Sequence, residues 1–263
     1  MWFTRKSCTL PDPSRPKPRH FYPLVDFVVP RLVITYAMGL RSVLRTATPR
    51  AARQRRPSGW RRPDFLARQA AHPTGLVGWI LAHIMAAETA AANAGTIARA
   101  DLSGHEHVLE VGCGHGRAIA KIALALPTGR IVGLDPSATM VGIARRHNRA
   151  LVARGTVTIE QGDATTVPHP DASFDRILAT HTVYFWPNLN VVARELRRVL
   201  NPHGRIVVGF GDAEAMQRRF PPSVYTLRSA DQIRDGLLDA GFAHVRVESQ
   251  PTPGHTMYWA VAE

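Results

Sequence analysis

Short apolar segments alternate with helix-like segments from residue 107 onward, and this alternation restricts the fold more than any other feature of the sequence. Predicted strands cover residues 107–111, 130–134, 157–161, 174–179 and 205–210, and predicted helices cover 117–126, 137–154, 189–200 and 231–240. Strand–helix alternation is typical of a doubly wound parallel sheet. Two final strands, 245–249 and 255–261, are separated by a hairpin-length link, which makes the last one antiparallel. The sequence predicts an α/β fold with a mostly parallel seven-stranded sheet.

The charge is distributed very unevenly along the 263 residues. Residues 1–62 contain 14 Lys and Arg against only Asp12 and Asp26, and they account for nearly all of the net charge of +13. Few apolar faces are available in this Pro- and Arg-rich stretch, so we predict a basic, disordered N-terminal extension over residues 1–62. Residues 63–263 form the predicted catalytic domain. It begins with a helical cap over 63–104, in which Thr74 starts a helix that buries Ile80, Ile84 and Met85.

The extension has several interpretations. Its Arg-rich, acid-poor composition resembles an organelle transit peptide, while a non-native extension ahead of a start at Met38 is the simpler alternative. Basic tails also bind nucleic acid or anionic lipid without specificity, so membrane contact is expected to be peripheral at most. No run approaches the roughly 18–20 apolar residues of a membrane span. Two cysteines suit a reducing compartment, and the predicted location is cytoplasmic.

Glycines follow the first predicted strand at every second position. Gly112, Gly114 and Gly116 let the backbone turn sharply and approach a ligand at distances that a Cβ atom would prevent. A dinucleotide-binding fingerprint requires its third glycine at the position of Arg117, so this pattern is not met. The loop predicts close contact with a ligand, and a merely tight strand-to-helix turn is the alternative.

Carboxylates follow the next two predicted strands. Asp135 ends the second strand, where it can accept hydrogen bonds from both hydroxyls of a ribose or cap the next helix. Asp163 follows the third strand, in a position suited to receive an exocyclic amine. Ligands of open α/β sheets bind beyond the carboxyl ends of the strands. Glycines and carboxylates on three consecutive strands therefore predict one nucleoside-binding site.

These motifs, in this order, resemble the class I S-adenosylmethionine (SAM)-dependent methyltransferases of the small-molecule type. The shared segments are the glycine run 109–116, Asp135, the triplet 162–164, the strand start 174–175 and the stretch 195–205. The resemblance covers about residues 72–261. It implies a Rossmann-like methyltransferase fold, SAM as the cofactor and methyl transfer as the activity.

The resemblance also implies roles for individual residues. The three glycines would pass along the methionine part of SAM, and Glu110 would orient its amino group. Asp135 would hold the ribose, Met140 would pack beside the adenine, and Asp163 would accept from the adenine amino group. The remaining residues of the predicted cofactor site are Cys113, Pro136, Gly162, Ala164 and Thr180, of which Ala164 would contact the adenine ring through its amide and Thr180 would lie near the transferred methyl group.

The segment after the fourth strand carries the predicted acceptor site. Aromatic rings at Tyr184, Phe185 and Trp186 suit a sulfonium cation and an apolar acceptor, although one or two of them are equally expected in the core. His181 is the candidate general base because an unperturbed histidine titrates near neutral pH, and Tyr184 is the second candidate. Related sequences more often have Asn near position 181, which favours a role in shaping the loop instead. No metal site is predicted.

Three functions remain open at this point. The leading one is methylation of a small, apolar or aromatic molecule by in-line displacement. An RNA methyltransferase that uses the basic extension is the second, although the Ala179–Thr182 segment lacks the Asn/Asp-Pro-Pro-aromatic run that base amino methylation usually requires. The third is a non-catalytic protein that binds SAM.

Overall fold

The computed structural model describes residues 64–71, 89–252 and 255–263. The predicted extension over 1–62, and the part of the predicted cap that includes Thr74, Ile80, Ile84 and Met85, lie outside the described residues. None of the described helices is long and apolar enough to cross a membrane.

Helices and strands alternate through the described residues much as the sequence predicts. Ahead of the sheet lie α1 (Asp64–Ala71) and α2 (Ala90–Arg99). The first half of the sheet comprises β1 (His107–Val111), α3 (Arg117–Ala125), β2 (Arg130–Asp135), α4 (Ala138–His147), α5 (Arg149–Ala153) and β3 (Val157–Gln161). The second half comprises β4 (Phe174–Thr180), a 3-10 turn (Val183–Phe185), α6 (Leu189–Val199), β5 (Leu200–Gly211), α7 (Ala213–Gln217), α8 (Ala230–Asp239), β6 (Val245–Thr252) and β7 (His255–Ala262).

In the described part of the chain, seven strands form one sheet in the order β3-β2-β1-β4-β5-β7-β6. The pairs from β3 to β5 are parallel, and β7 is antiparallel to both β5 and β6. This confirms the predicted α/β class and the antiparallel last strand. The chain moves outward from β1 to β3, then returns to β4 on the other side of β1. That reversal opens a crevice beyond the carboxyl ends of β1 and β4, where ligands of such sheets bind.

The central strands are buried on both faces, as parallel strands covered by helices must be. Two apolar clusters lie on opposite sides of the sheet. One contains Phe174, Leu196 and Phe210, and the other contains Ile119, Ile122 and Trp259. Helix α6 shows how the sequence produces this burial, since the apolar side chains recur every three or four residues along one face: Leu189, Val192, Ala193, Leu196 and Val199.

The predicted helix over 137–154 is divided in two at Asn148. This residue leaves helical geometry, with φ −102° and ψ 20°. Its buried side chain donates hydrogen bonds to the carbonyls of Gly116 (2.9 Å) and Ala144 (3.0 Å). An amide that binds nearby backbone competes with the helical ladder, which explains the break. The helical layer is thereby attached to the glycine loop.

The predicted turn at 201–204 also differs in detail. Strand β5 begins earlier than expected, at Leu200, which pairs with Phe174. The next pair joins Arg176 to Arg205, so residues 201–204 lie between two consecutive pairs as an irregularity in the strand. Asn201 donates a hydrogen bond of 2.6 Å to Asp175 and holds this irregularity against β4. A turn-like sequence is thus accommodated within the sheet.

Helix α1 is the earliest described part of the chain, and it packs on the domain. Ala67 is fully buried in one apolar cluster, and Asp64 accepts a hydrogen bond of 2.9 Å from Ser223. A chain that begins at Pro63 is therefore expected to melt within about 3 °C of the full-length protein. A chain that begins at Thr74 loses these contacts and is expected to melt several degrees lower, at roughly 2–4 °C per kcal/mol. Thermal melting of the three chains checks this, and a large loss in the Pro63 chain would contradict it.

Candidate functional site

The glycine loop begins directly after β1 and turns back over the end of β2. The N–H groups of Gly112 and Cys113 both donate to the carbonyl of Leu134, at 2.8 and 3.1 Å. Gly112, Gly114 and Gly116 have φ angles of +67°, +52° and +73°, a region that other L-residues rarely adopt. A Cβ atom on Gly112 would collide with the methyl group of Thr182. The loop therefore requires these glycines for its own geometry.

Asp135, at the end of β2, holds this loop in place. One carboxylate oxygen accepts from the N–H of Gly114 (2.8 Å), and the other accepts from the N–H of Ser137 (2.9 Å). The side chain is 7% exposed and lines the cavity beside the loop. Each carboxylate oxygen has a second lone pair, so Asp135 can support the loop and still accept from a ligand.

Glu110 lies behind the loop and is almost fully buried. Among the described residues its Oε2 atom has no hydrogen-bond partner. Burial raises the pKa of Glu110 from 4.5 to about 8, and the neighbouring charge of Asp135 adds to the increase. A buried carboxylate without a partner is costly in its charged form, and a cation in the cavity would relieve that cost.

One cavity brings together most of the residues that the sequence predicts for the cofactor. Of the fourteen predicted site residues, twelve line it: Glu110, Gly112, Cys113, Gly114, Asp135, Pro136, Met140, Gly162, Asp163, Ala164, Thr180 and His181. Gly116 does not, because it lies beneath the loop, where a Cβ atom would approach Asn148 and Ala144 too closely. Burial raises the pKa of the Cys113 thiol, with Glu110 and Asp135 adding to the effect, so this residue is a protonated part of the wall.

Tyr184 is placed differently from its prediction as a catalytic candidate. Its ring is 4% exposed, belongs to an apolar cluster and does not line the cavity. Burial raises the pKa of its hydroxyl well above the usual value. Tyr184 and Trp186 both join the core, but only Trp186 and the half-buried Phe185 also line the cavity.

His181 lines the cavity but lacks the pKa that suggested a general base. Burial lowers the pKa of its ring from 6.5 to about 4, and the nearby His255 contributes to the decrease. The ring is therefore neutral at physiological pH and is a weaker base than an exposed histidine.

Several polar residues of the cavity wall were not predicted, and two of them precede the sheet. Thr89 and Asn93 come from the start of α2, nearly twenty residues before the glycine loop. Helix α2 is attached to β4 by a hydrogen bond of 2.8 Å from Thr180 to Thr96. No local pattern marks these residues, because their place in the cavity depends on this long-range contact.

Carboxylates and tight glycine turns at the carboxyl ends of adjacent parallel strands define a nucleoside-binding α/β protein. Comparison with known proteins adds a family likeness to this class. Residues 109–208 match a family model described as a methyltransferase domain. Over this segment the chain is similar in sequence to methyltransferases, and its fold is similar to that of a SAM-dependent methyltransferase.

Among curated relatives, a fatty-acid O-methyltransferase of Mycolicibacterium smegmatis is 37% identical over 110 residues, which is 41% of this chain and 38% of that protein. The chain thus spans about two fifths of the length of this relative. A SAM-dependent methyltransferase from Aquifex aeolicus has a similar structure, with a TM-score of 0.55 and 21% identity over 65% of this chain and 88% of that one. The [4+2]-cyclase SpnF is also similar, with a TM-score of 0.56 and 20% identity over 65% of this chain and 79% of that one.

The raised pKa of Glu110 predicts how stability depends on pH. Between about pH 4.5 and 8 the folded chain keeps a proton on Glu110 that the unfolded chain has released, so stability falls as pH rises through this range. Glu110→Gln removes this contribution, which has an upper limit of about 1.4 kcal/mol per pH unit. The variant is expected to gain stability relative to wild type at about pH 8 but not at about pH 5. Urea unfolding without ligand measures the difference.

Glu106 provides the matched control. It is also buried, and burial alone would raise the pKa of its carboxyl. Hydrogen bonds from the Ser103 hydroxyl and from the backbone N–H groups of Ser103, Gly104 and His105 outweigh burial and lower the pKa to about 2. Glu106→Gln is therefore expected to lose stability at both pH values. Parallel pH curves for wild type and Glu110→Gln would contradict the analysis of Glu110.

Proposed function

We propose that this protein transfers the methyl group of SAM to a small, largely apolar acceptor by in-line displacement. The observation that carries the proposal is Glu110, a buried carboxylate with an unpartnered oxygen, behind a glycine loop that leaves room for a ligand. SAM has a cationic amino group that would pair with this carboxylate. Such a displacement is accelerated mainly by holding the two reactants in line at short distance, so a shaped cavity is the principal requirement.

The cofactor would extend along the carboxyl ends of β1, β2 and β3. Its methionine part would pass over the glycine loop, with its amino group at Glu110. Its ribose hydroxyls would donate to Asp135, and its adenine would pack against Met140, with Asp163 accepting from the amino group. The other predicted cofactor residues on the wall of the cavity would complete the site: Cys113, Pro136, Gly162, Ala164 and Thr180.

Phe185 and Trp186 support an apolar acceptor. Both rings line the cavity next to His181 and Thr182, the segment that follows β4. Aromatic faces stabilise a sulfonium and exclude water from an apolar partner. The similarity to a fatty-acid O-methyltransferase agrees with an acceptor of this kind.

A second candidate is a protein that binds SAM without transferring its methyl group. The similar structure of a [4+2]-cyclase favours it, because one fold supports more than one chemistry. Transfer from labelled SAM separates the two. A panel of quinones, phenols, fatty acids, lipids and RNA also tests the RNA alternative. Methyl incorporation into a small molecule supports our proposal, and SAM binding without incorporation into any acceptor supports the second candidate.

The cofactor site is tested through Asp135. SAM is expected to bind in the low-micromolar to submillimolar range, roughly that of cofactor sites. Asp135→Ala removes the ribose acceptor and releases the N–H groups of Gly114 and Ser137, so affinity should fall by at least about tenfold. Asp163→Ala is the comparison, since Asp163 is exposed and a smaller loss is expected there. Calorimetry measures both, and unchanged affinity in Asp135→Ala would disprove the site.

The acceptor site is tested through Phe185. This ring is half-buried and lines the cavity, so Phe185→Ala should lower the turnover of an apolar acceptor about tenfold or more and leave SAM affinity nearly unchanged. Tyr184→Ala is the contrasting variant. Its ring lies in the core, so it should lose a few kcal/mol of stability instead. Steady-state kinetics and melting curves separate the effects, and a stable Phe185→Ala with normal turnover would contradict the assignment.

A further inference from the structure

His181 has an unusual backbone conformation directly after β4. Its φ angle is +58°, in the left-handed region, and its N–H donates to the carbonyl of Gly209 at 2.8 Å. Few residues other than glycine adopt this region, and Asn, Asp and His are the most frequent among them. The hydrogen bond to β5 therefore fixes the place where the ring enters the cavity.

The Tyr184 hydroxyl determines which nitrogen of His181 carries the proton. This hydroxyl accepts a hydrogen bond from the N–H of Gly211 and lies 3.2 Å from Nδ1 of His181. The Gly211 N–H can only donate, so the phenolic hydrogen still needs an acceptor. A buried hydroxyl hydrogen without a partner is costly, and among the described residues Nδ1 of His181 is the acceptor within reach. In the neutral ring the proton is then on Nε2.

The surroundings of the ring keep it neutral. Burial and His255 on β7 both lower the pKa of His181, and in the described part of the chain the Tyr184 side chain contacts its ring. His255 itself lies with Nδ1 3.2 Å from the hydroxyl of Thr252. With Nδ1 occupied by Tyr184, Nε2 is the nitrogen of this cavity-lining residue that is left for a ligand.

We propose that His181 is a fixed, neutral Nε2–H donor that binds the nucleophilic oxygen of the acceptor, and that the acceptor is an apolar molecule with an ionised oxygen, above all a carboxylate. Tyr184 is the positioning residue, because it acts only by holding the proton on Nε2. This inference rests on the proposed function and adds to it the chemical class of the acceptor.

The reaction balances without a base. A carboxylate oxygen uses a lone pair to form a bond to the methyl carbon as the carbon–sulfur bond breaks. That bonding pair stays on the sulfur, so the sulfonium and carboxylate charges cancel and no proton is released. A neutral donor can orient the attacking oxygen while withdrawing less electron density from it than the charge-assisted hydrogen bond of an imidazolium would.

The same geometry disfavours an amine. An ammonium group would present its N–H bonds to the N–H of His181, and a neutral amine would have to use its one lone pair for either the hydrogen bond or the attack. An oxygen anion has lone pairs for both. The site therefore discriminates between oxygen and nitrogen acceptors of the same shape.

Two substitutions at His181 separate the hydrogen bond from the shape of the loop. Glycine and asparagine both tolerate a φ of +58°, but only asparagine offers an N–H donor. With dodecanoate as the acceptor, His181→Asn is expected to remain within about tenfold of wild type, and His181→Gly should lose roughly 10–100-fold in turnover. Calorimetry should give similar SAM affinities for both. Equal activity of the two variants, whether high or low, would overturn the donor role.

The acceptor class is tested with dodecanoate, dodecan-1-ol and dodecylamine, which share one chain length. With saturating SAM, which keeps Glu110 paired with the cofactor, only dodecanoate should be methylated, at a rate that is flat between about pH 6 and 8, because neither the acceptor nor His181 titrates there. Preferred methylation of the amine, or an inflection near pH 6–7 that His181→Asn removes, would overturn the proposal. So would a protein that binds SAM and neither binds nor methylates dodecanoate. Failure to bind SAM would instead refute the proposed function.

The position of the proton on the His181 ring can be measured directly, without an activity assay. Nitrogen-15 NMR of the full-length protein should show a protonated Nε2 and an unprotonated Nδ1 for His181, unchanged between about pH 6 and 8. In Tyr184→Phe this preference should weaken, and turnover of dodecanoate should fall, while SAM affinity remains. A proton on Nδ1 in the wild-type protein would overturn the assignment even if Tyr184→Phe proved unstable.

Discussion

The carboxylate of Asp135 is the interaction on which the rest of the site depends. It accepts one hydrogen bond from Gly114 in the loop after β1 and another from Ser137 at the start of α4. At the other end of α4, the side chain of Asn148 donates a hydrogen bond to the carbonyl of Gly116 in the same loop. The loop and the helix are thus joined at both ends. The glycines of the loop keep their positive φ angles because hydrogen bonds at both ends of α4 hold the loop in this conformation.

Unequal solvation of two neighbouring carboxylates gives the cavity its electrostatic character. Asp135 receives backbone N–H groups, which stabilise its charge, whereas Glu110 is buried and keeps one oxygen without a partner in the described structure. The negative charge therefore resides on Asp135, and Glu110 ionises readily only when a cation arrives. Glu106 provides a contrast. Its side chain is also little exposed but lies closer to the surface, and donors from its own turn hold it ionised. Depth of burial and backbone donors together decide which carboxylate is ready for a ligand.

Local signals predicted well which residues gather on the wall of the cavity formed after β1, β2 and β3, because spacing along the chain determines it. Glycines after β1 and carboxylates after β2 and β3 reach the same sheet edge in any fold of this class. The opposite wall was harder to predict. Whether Tyr184 or its neighbours join the core depends on the turn Val183–Phe185, and no periodicity marks a single 3-10 turn. Asn93 was missed because its place depends on how α2 packs on β4. The pKa of His181 likewise depends on burial and on His255, which is remote in sequence.

The two walls of the cavity differ in how the chain supplies them. One comes from a single stretch of the chain, between Glu110 and Thr165, whose parts are tied together by hydrogen bonds within that stretch. The other wall is formed by residues from three separate segments, which are α2, the segment after β4, and α6. Changes in the second wall leave the connections within the first intact. In a chain of this design, peripheral segments can be exchanged to admit a new acceptor without altering the wall that the proposed cofactor would contact.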